Sequence, residues 1–269
     1  MEKPISEKYE KIRHTICSLG RAIVAFSGGV DSALVLKLAH ESLGDNAIGI
    51  TADSPSVPRR EIEEARKIAK DIGANHMILN TEETSNEDYM KNPENRCYYC
   101  KTELYSKLRK AADKLRIGNI MDGTNFDDIS DYRHGLKAAE EHKIISPLKD
   151  AMMTKNEVRM LARELGIPIW EKPASPCLSS RIPHGQEITL KKLSMVEEAE
   201  NYVKDLGIKE LRVRHFGQIA RIDIREEDRP TIHNNFSLIK RKFNEIGFKD
   251  INISNFKSGS LNILVKGSN

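Results

Sequence analysis

Six consecutive residues, Ser27-Gly28-Gly29-Val30-Asp31-Ser32, combine what phosphate chemistry asks of a loop. Two glycines allow a tight turn and a close backbone approach to a ligand. The apolar run Ala22-Ile-Val-Ala-Phe26 precedes them and the helical pattern Ala33–Leu43 follows. That strand–loop–helix context aims unpaired N–H groups and a partial positive charge at the loop, which suits an anion. Ser27 and Ser32 add hydroxyl donors, and Asp31 offers an oxygen ligand for a magnesium ion on the phosphates. The Gly-Lys-Ser/Thr ending of a Walker loop is absent, which excludes an ordinary P-loop NTPase. A Gly-Gly turn before a helix can also be no more than a tight turn.

The cysteines form the second constellation. Cys97-Tyr-Tyr-Cys100 lies in a loop-to-helix stretch after Pro93, and Cys177 lies in Pro173-Ala-Ser-Pro-Cys177-Leu-Ser-Ser-Arg181. Cys17 falls on the apolar side of the first helix and is expected to be a small buried hydrophobe. No apolar signal-peptide core opens the chain, so a reducing cytoplasmic setting is expected, where metal binding or catalysis is favoured over disulfides. The pair does not follow a strand, as a thioredoxin-like pair would. Zinc would need a fourth ligand, for which His184 is available. Three thiolates suit a [4Fe–4S] cluster with one iron open to hydrosulfide. Three unrelated thiols remain the alternative. A third constellation is Leu211-Arg212-Val213-Arg214-His215. Strand periodicity puts Arg212 and Arg214 on one face, where two guanidinium groups can grip phosphate or carboxylate, unless that face is merely solvated.

Around these residues the pattern alternates. Strands are predicted at Ala22–Phe26, Ala47–Thr51, His76–Leu79 and Asn119–Asp122. Helices are predicted at Glu7–Leu19, Ala33–Leu43, Arg60–Ile72, Leu104–Leu115 and Lys155–Leu165. This is the grammar of an α/β, doubly wound parallel sheet. After about Pro176 it changes to an antiparallel α+β style. Helices are predicted at Leu190–Leu206 and Thr231–Ile246, a hairpin of Leu211–Phe216 with Ile219–Ile224, and strands at Asp250–Asn255 and Asn262–Val265. Charge shifts too: residues 178–269 carry 16 basic and 12 acidic side chains, residues 1–177 carry 27 and 28. A domain of residues 1–180 followed by a smaller α+β domain of 181–269 is therefore expected. The whole chain has 269 residues, 31% of them charged and 39% hydrophobic, and a net charge of +3. That is an ordinary globular composition with no apolar run near membrane-spanning length. The charge is too small to advertise nucleic-acid binding.

The motif Ser27–Ser32 is identical to the S-G-G-x-D-S loop of the PP-loop ATP-pyrophosphatase superfamily. Asp122-Gly123-Thr124-Asn125 resembles its G-T-N segment. Pro147-Leu148 followed by Thr154-Lys155-Asn-Glu157-Val158-Arg159 resembles its P-L…K-x-E-V-R stretch. Three further stretches are similar to the LarE family within that superfamily: Trp170-Glu-Lys-Pro-Ala-Ser-Pro-Cys177-Leu-Ser-Ser-Arg181-Ile-Pro-His-Gly185, Asp131-Tyr-Arg133-x-Gly135-Leu, and Leu211–His215. His134 departs from the proline more usual at its position.

The resemblance implies an ATP-dependent sulfur transferase of nickel-pincer nucleotide biosynthesis, which supplies the lactate racemase cofactor. Such an enzyme adenylates a carboxylate of a pyridinium biscarboxylic acid mononucleotide and converts it to a thiocarboxylate. ATP and Mg2+ would meet Ser27, Gly28, Gly29, Asp31, Ser32, Thr51, Asp53, Gly123, Thr124, Asn125 and Lys155. Arg133 and Arg181 would stabilise the charge that adenylation builds. The mononucleotide would meet Glu200, Arg212 and Arg214. Cys97, Cys100 and Cys177 together place the chain with members that carry a [4Fe–4S] cluster fed by a sulfide source. Sacrifice of the Cys177 sulfur and cluster-dependent tRNA thiolation are the alternatives. A homo-oligomer is expected.

Overall fold

The computed structural model describes residues 3–131 and 133–256, and only the backbone of residues 3, 4, 130, 131 and 133. Along the chain run α1 (Lys3–Leu19), β1 (Ala22–Ala25), α2 (Val30–Leu43), β2 (Ala47–Asp53), α3 (Arg59–Ile72), β3 (Asn75–Asn80), α4 (Glu87–Met90) and α5 (Arg96–Leu115). There follow β4 (Asn119–Met121), α6 (Asp128–Asp131), α7 (Arg133–Glu141), α8 (Pro147–Asp150) and α9 (Lys155–Glu164). The last group is α10 (Leu190–Asp205), β5 (Leu211–Phe216), β6 (Ile219–Ile224), α11 (Arg229–Asn234), α12 (Phe236–Ile246) and β7 (Asp250–Asn255). The strand expected at Asn262–Val265 lies outside the described residues.

The chain forms two compact units. One comprises the chain up to Glu83 together with Cys97–Ser175; the other comprises Thr84–Arg96 and the chain from Pro176 onward. In the first unit four parallel strands lie in the order β3-β2-β1-β4. Strand periodicity gives the sheet two apolar faces. Ala22 and Val24 join a core with α1, α2, α3 and α9, while Ile23, Ile50 and Ile120 join Tyr105, Leu108 and Ala112 of α5 and Ala138 and Ala139 of α7. Helices on both faces make the sheet doubly wound. The chain steps outward from β1 to β2 and β3 and then returns to place β4 on the other side of β1. The reversal falls between β1 and β4, and at such a point the loops at the carboxyl ends of the strands splay apart and leave a ligand crevice. Those loops are Ser27–Gly29 and Asp122–Asn125.

In the second unit β5 and β6 form the expected hairpin. The expectation of an antiparallel sheet is corrected by β7, which pairs with β6 in parallel. The physical reason is the helical crossover through α11 and α12, which brings the chain back in the same direction. The single helix expected over Thr231–Ile246 is two helices. At their junction Asn235 donates its side-chain amide to the Thr231 carbonyl at 2.9 Å, a local bond that competes with the helix ladder.

The second unit also draws in a segment from far earlier in the chain than a single cut near residue 180 implies. Asn92, fully buried, is the tie. Its amide donates to the carbonyls of Pro183 (2.8 Å), Gln186 (3.0 Å) and Ile182 (3.2 Å), and its carbonyl oxygen accepts from Arg96. The Gly185 N–H donates to the Asn92 backbone carbonyl at 2.9 Å. The left-handed backbone of Asn92 (φ 55°) is one that asparagine tolerates better than most residues. Cys17 is corrected as well: it is exposed. The buried stripe of α1 is Ile5, Ile12 and Ile16, and Cys17 lies about 100° round the helix from Ile16.

Asn92→Ala removes four side-chain hydrogen bonds, three donated to carbonyls and one accepted from Arg96, so it lowers the unfolding free energy by about 2–4 kcal/mol. Urea denaturation followed by far-UV circular dichroism reads this, and a wild-type midpoint would contradict the role given to Asn92.

Candidate functional site

The first turn of α2 is open. Gly29 caps it in an extended conformation (φ −84°, ψ 160°) with no side-chain cap hydrogen bond among the described residues. The N–H groups of Val30, Asp31 and Ser32 therefore have no intrahelical acceptor, and the first such bond is Ala33 N–H to the Gly29 carbonyl at 2.9 Å. Gly28 has φ +73°, and a Cβ there would stand 3.0 Å from the Ala65 Cβ, so both its conformation and its space require glycine. The serines shape the loop: Ser32 Oγ donates to the Gly29 carbonyl at 3.0 Å, lies 3.1 Å from Ser27 Oγ and accepts the Ser27 N–H at 3.2 Å.

The loop after β4 closes directly on this turn. A Cβ on Gly123 would lie 2.6 Å from the Ser32 nitrogen, so only glycine permits the approach. Asn125 donates its amide to Asp31 Oδ1 at 3.1 Å, and Lys155 forms an ion pair with Asp31 Oδ2. Lys155 is positioned by its own helix start. Thr154 and Glu157 form a capping box at the head of α9, and Lys8 of α1 holds Glu157 at 2.7 Å. Asp128 accepts the Asn125 N–H at 3.0 Å, and burial pushes its carboxyl up from the usual range. Asp31 thus stands at the positive end of a helix between an amide and an ammonium, an arrangement able to hold a cation bound to phosphate oxygens.

Behind Gly123, buried Asp122 accepts hydrogen bonds from Thr124 Oγ1 (2.7 Å), Ser146 Oγ (2.8 Å), Tyr105 Oη (2.9 Å) and the Thr124 N–H (3.1 Å). Burial, then the Asp122 charge, pushes the Tyr105 hydroxyl well up, so it stays a donor. Thr124, expected to touch the nucleotide, therefore has its hydroxyl turned to Asp122. Thr51 is likewise engaged: its hydroxyl donates to the Phe26 carbonyl at 2.7 Å and lies 2.8 Å from His76 Nε2, with burial holding the His76 ring below its usual range. Asp53 is paired with Arg59. Lys172 binds Glu61 (2.7 Å) and Glu64 (2.8 Å) of α3 and reaches the Gly28 carbonyl at 3.4 Å. Tyr105 and Ser146 carry no spacing that would have marked them in the sequence, whereas Lys172 lies within the Trp170–Gly185 stretch, whose resemblance could have marked it.

Cys97 and Cys100 occupy the first turn of α5, which begins at Arg96 rather than at the expected Leu104. Three residues apart on a helix, they share a face. Arg133 opens α7, and its side chain lies outside the described residues. Among the described residues, no three His, Cys, Asp or Glu side chains are gathered to hold a metal ion.

In the second unit Cys177, half-buried, heads a 3-10 turn, Leu178–Arg181. Arg181 is buried, and its guanidinium donates to the carbonyls of Pro176 (2.7 Å) and Cys177 (3.2 Å), to Ser180 Oγ (2.9 Å), and to Glu200 Oε1 (2.8 Å) and Oε2 (3.2 Å). Glu200, which could have been a surface glutamate on α10, is 2% exposed and also accepts the Val213 N–H at 3.0 Å. Arg181 and Glu200 together fix the backbone at Cys177 to β5.

The face of Arg212 and Arg214 is not a solvated one. Arg214 is 2% exposed and pairs with buried Asp223, which also holds Arg221 at 2.9 Å; the Nη2 of Arg214 is buried and has no hydrogen-bond partner among the described residues. Arg212 lies over the Phe256 ring at 4.8 Å, and burial, then Arg181 and Arg214, push its pKa down. Cations outnumber carboxylates here, and an orphaned guanidinium nitrogen suits an anionic oxygen.

Comparison with known proteins agrees with this geometry. The family model "Arginosuccinate synthase N-terminal HUP domain" matches residues 21–168. The chain is 43% identical to an uncharacterized protein of Synechocystis sp. over 96% of its own length and 98% of that protein. It is 36% identical to the pyridinium-3,5-bisthiocarboxylic acid mononucleotide synthase of Lactiplantibacillus plantarum, over 91% of this chain and 90% of that one. It is 32% identical to an uncharacterized protein of Methanocaldococcus jannaschii, over 87% and 89%. With its open phosphate loop at the switch point of a doubly wound sheet, the chain belongs to the LarE family of ATP-dependent sulfur transferases, built on a HUP/PP-loop domain.

Proposed function

We propose that the protein adenylates a carboxylate of a pyridinium biscarboxylic acid mononucleotide with ATP and converts the acyl-adenylate to a thiocarboxylate. The observation that carries this reading is the uncapped first turn of α2, with Asp31 held between Asn125 and Lys155 and Gly123 packed against Ser32. The L. plantarum relative, similar over nearly the whole chain, supports the substrate.

The N–H groups of Val30, Asp31 and Ser32 take the β- and γ-phosphate oxygens, and Lys155 stands beside them. A substrate carboxylate oxygen attacks the α-phosphorus, the bond to the bridging oxygen breaks, and pyrophosphate leaves with its charge compensated by these donors. Magnesium, which favours carboxylate oxygens, would be held by Asp31 and would neutralise the phosphates. The acyl–O–phosphate bond so formed activates the acyl carbon. A sulfur nucleophile adds there, and AMP departs with the carboxylate oxygen. Arg212 and Arg214, the latter with a buried nitrogen that lacks a hydrogen-bond partner among the described residues, are the anion-binding face proposed for the substrate's phosphate and carboxylates.

The sulfur is proposed to come by way of a [4Fe–4S] cluster held by Cys97, Cys100 and Cys177. The first two, on one helical face, are spaced as ligands of a single group, and the recruitment of Cys177 is part of the proposal. With three thiolate ligands, such a cluster leaves an iron able to bind hydrosulfide.

Asp31→Ala lowers substrate-dependent pyrophosphate release by about 100-fold or more, and Gly123→Ala, which displaces the α2 turn, lowers it by about 10- to 100-fold. A coupled pyrophosphate assay reads both, and undiminished release in Asp31→Ala would overturn the phosphate-loop assignment. Protein purified without oxygen is expected to carry roughly four iron and four acid-labile sulfide per chain, lost in Cys97→Ala. Absence of iron after reconstitution, with mature protein lighter by one sulfur after turnover, would instead make Cys177 a consumed donor.

A further inference from the structure

Lys172 is a cation at the phosphate loop to which the reaction steps above give no part. Its side chain is 13% exposed, and its ammonium binds Glu61 Oε2 at 2.7 Å and Glu64 Oε2 at 2.8 Å, both on α3. The third partner is the Gly28 carbonyl at 3.4 Å. An ammonium has three protons to donate, and these three acceptors account for them. The backbone of Lys172 is fixed as well. Its N–H donates to the Ile169 carbonyl at 2.9 Å, and Arg159 of α9 donates to the Lys172 carbonyl at 3.4 Å. The lysine therefore joins α9 and α3 to the phosphate loop.

The peptide it holds has little to fix it otherwise. The unit between Gly28 and Gly29 has glycine on both sides, so no Cβ resists its rotation. The C=O and N–H of a planar trans peptide point in opposite directions. In one orientation the carbonyl faces an anion in the loop and repels it; in the other the N–H faces the anion and binds it. Lys172 takes the carbonyl. The Gly29 N–H is thereby turned the other way, where it lies 3.4 Å from Ser27 Oγ, a long bond that a phosphate oxygen can replace. Gly28 also packs against α3, where a Cβ would stand 3.0 Å from the Ala65 Cβ. The helix that carries Glu61 and Glu64 thus supports the same peptide.

We infer that Lys172 is a positioning residue for the pyrophosphate part of ATP, orienting the Gly28–Gly29 peptide so that Gly29 contributes an N–H to the phosphates. This rests on the proposed ATP site and adds to it one donor ahead of the first turn of α2, with the side chain that keeps it aimed. Successive N–H groups converging on one anion form a concave site. Glu61 and Glu64 hold the ammonium on the carbonyl and away from the phosphates.

The chain has a single Gly-Gly step among its 16 glycines. Protein carrying carbon-13 in its glycine carbonyls and nitrogen-15 in its glycine amides therefore gives one amide signal coupled to a labelled carbonyl, that of Gly29. Magnesium pyrophosphate added to the full chain is expected to move this amide proton downfield in the wild type and to leave it in place in Lys172→Met. Calorimetry is expected to show pyrophosphate bound about tenfold more weakly by that variant. Loss of the lysine also leaves two glutamates uncompensated, so the titration is repeated in Lys172→Met combined with Glu61→Gln and Glu64→Gln. Binding that stays weak there supports the orienting role; a return to wild-type affinity would reduce the effect to charge and overturn it. A wild-type Gly29 signal that does not respond to bound pyrophosphate would overturn it as well, whether or not the variants fold. Wild-type protein that binds no pyrophosphate would instead remove the phosphate site itself, and the inference with it.

Discussion

An α-helix that begins without a cap must find partners for its first N–H groups elsewhere. At the switch point of the first unit's sheet that requirement falls on α2, and the loops beside it are arranged around its first turn. The parallel sheet places the start of α2 at the reversal of strand order. Gly28 turns the loop under the helix, Gly123 lets the neighbouring loop close on it, and Asp122 fixes that loop through Tyr105, Thr124 and Ser146. The capping box of α9 then delivers Lys155 to Asp31. Each of these contacts either leaves the open turn accessible or sets charge beside it, as an anion site needs and a simple loop does not.

The second unit solves a different electrostatic problem. Arg181 and Arg214 are buried, and buried charges persist only when paired or hydrogen-bonded. Glu200 and Asp223 supply the pairing, but incompletely: Arg214 keeps a buried nitrogen with no hydrogen-bond partner among the described residues, and the charge on Arg212 is disfavoured by burial and then by both neighbouring arginines. A cationic excess maintained against desolvation is the feature on which the proposed anion-binding face rests. The same Arg181 holds the Pro176 and Cys177 carbonyls, so the turn that presents the thiol is built from the network that holds the positive charge.

Much of the first unit was legible in the sequence, because its signals are local. Short apolar runs marked the strands, and the identity and order of three motifs marked the nucleotide loop. What stayed hidden depends on tertiary partners. Thr51 and Thr124 read as nucleotide contacts, yet their hydroxyls bond to Phe26 and Asp122. Glu200 reads as a helix glutamate and is a buried ion-pair partner. Strand periodicity puts Arg212 and Arg214 on one face, but nothing in it tells that Asp223 lies under one and Phe256 beside the other. Asn92 carries no motif, and its hydrogen bonds to residues some ninety positions later explain why a segment from the first half of the chain belongs to the second unit. The parallel pairing of β7 is not legible in the sequence, because periodicity gives a strand's faces and not its direction.

The central claim is that a substrate carboxylate attacks the α-phosphorus of ATP. The most direct measurement is turnover of a pyridinium dicarboxylate mononucleotide labelled with oxygen-18 in its carboxylates, with mass analysis of the AMP released. Attack by the carboxylate leaves one labelled oxygen on the AMP phosphate for each thiocarboxylate formed. AMP free of label, alongside labelled thiocarboxylate product, would contradict the account.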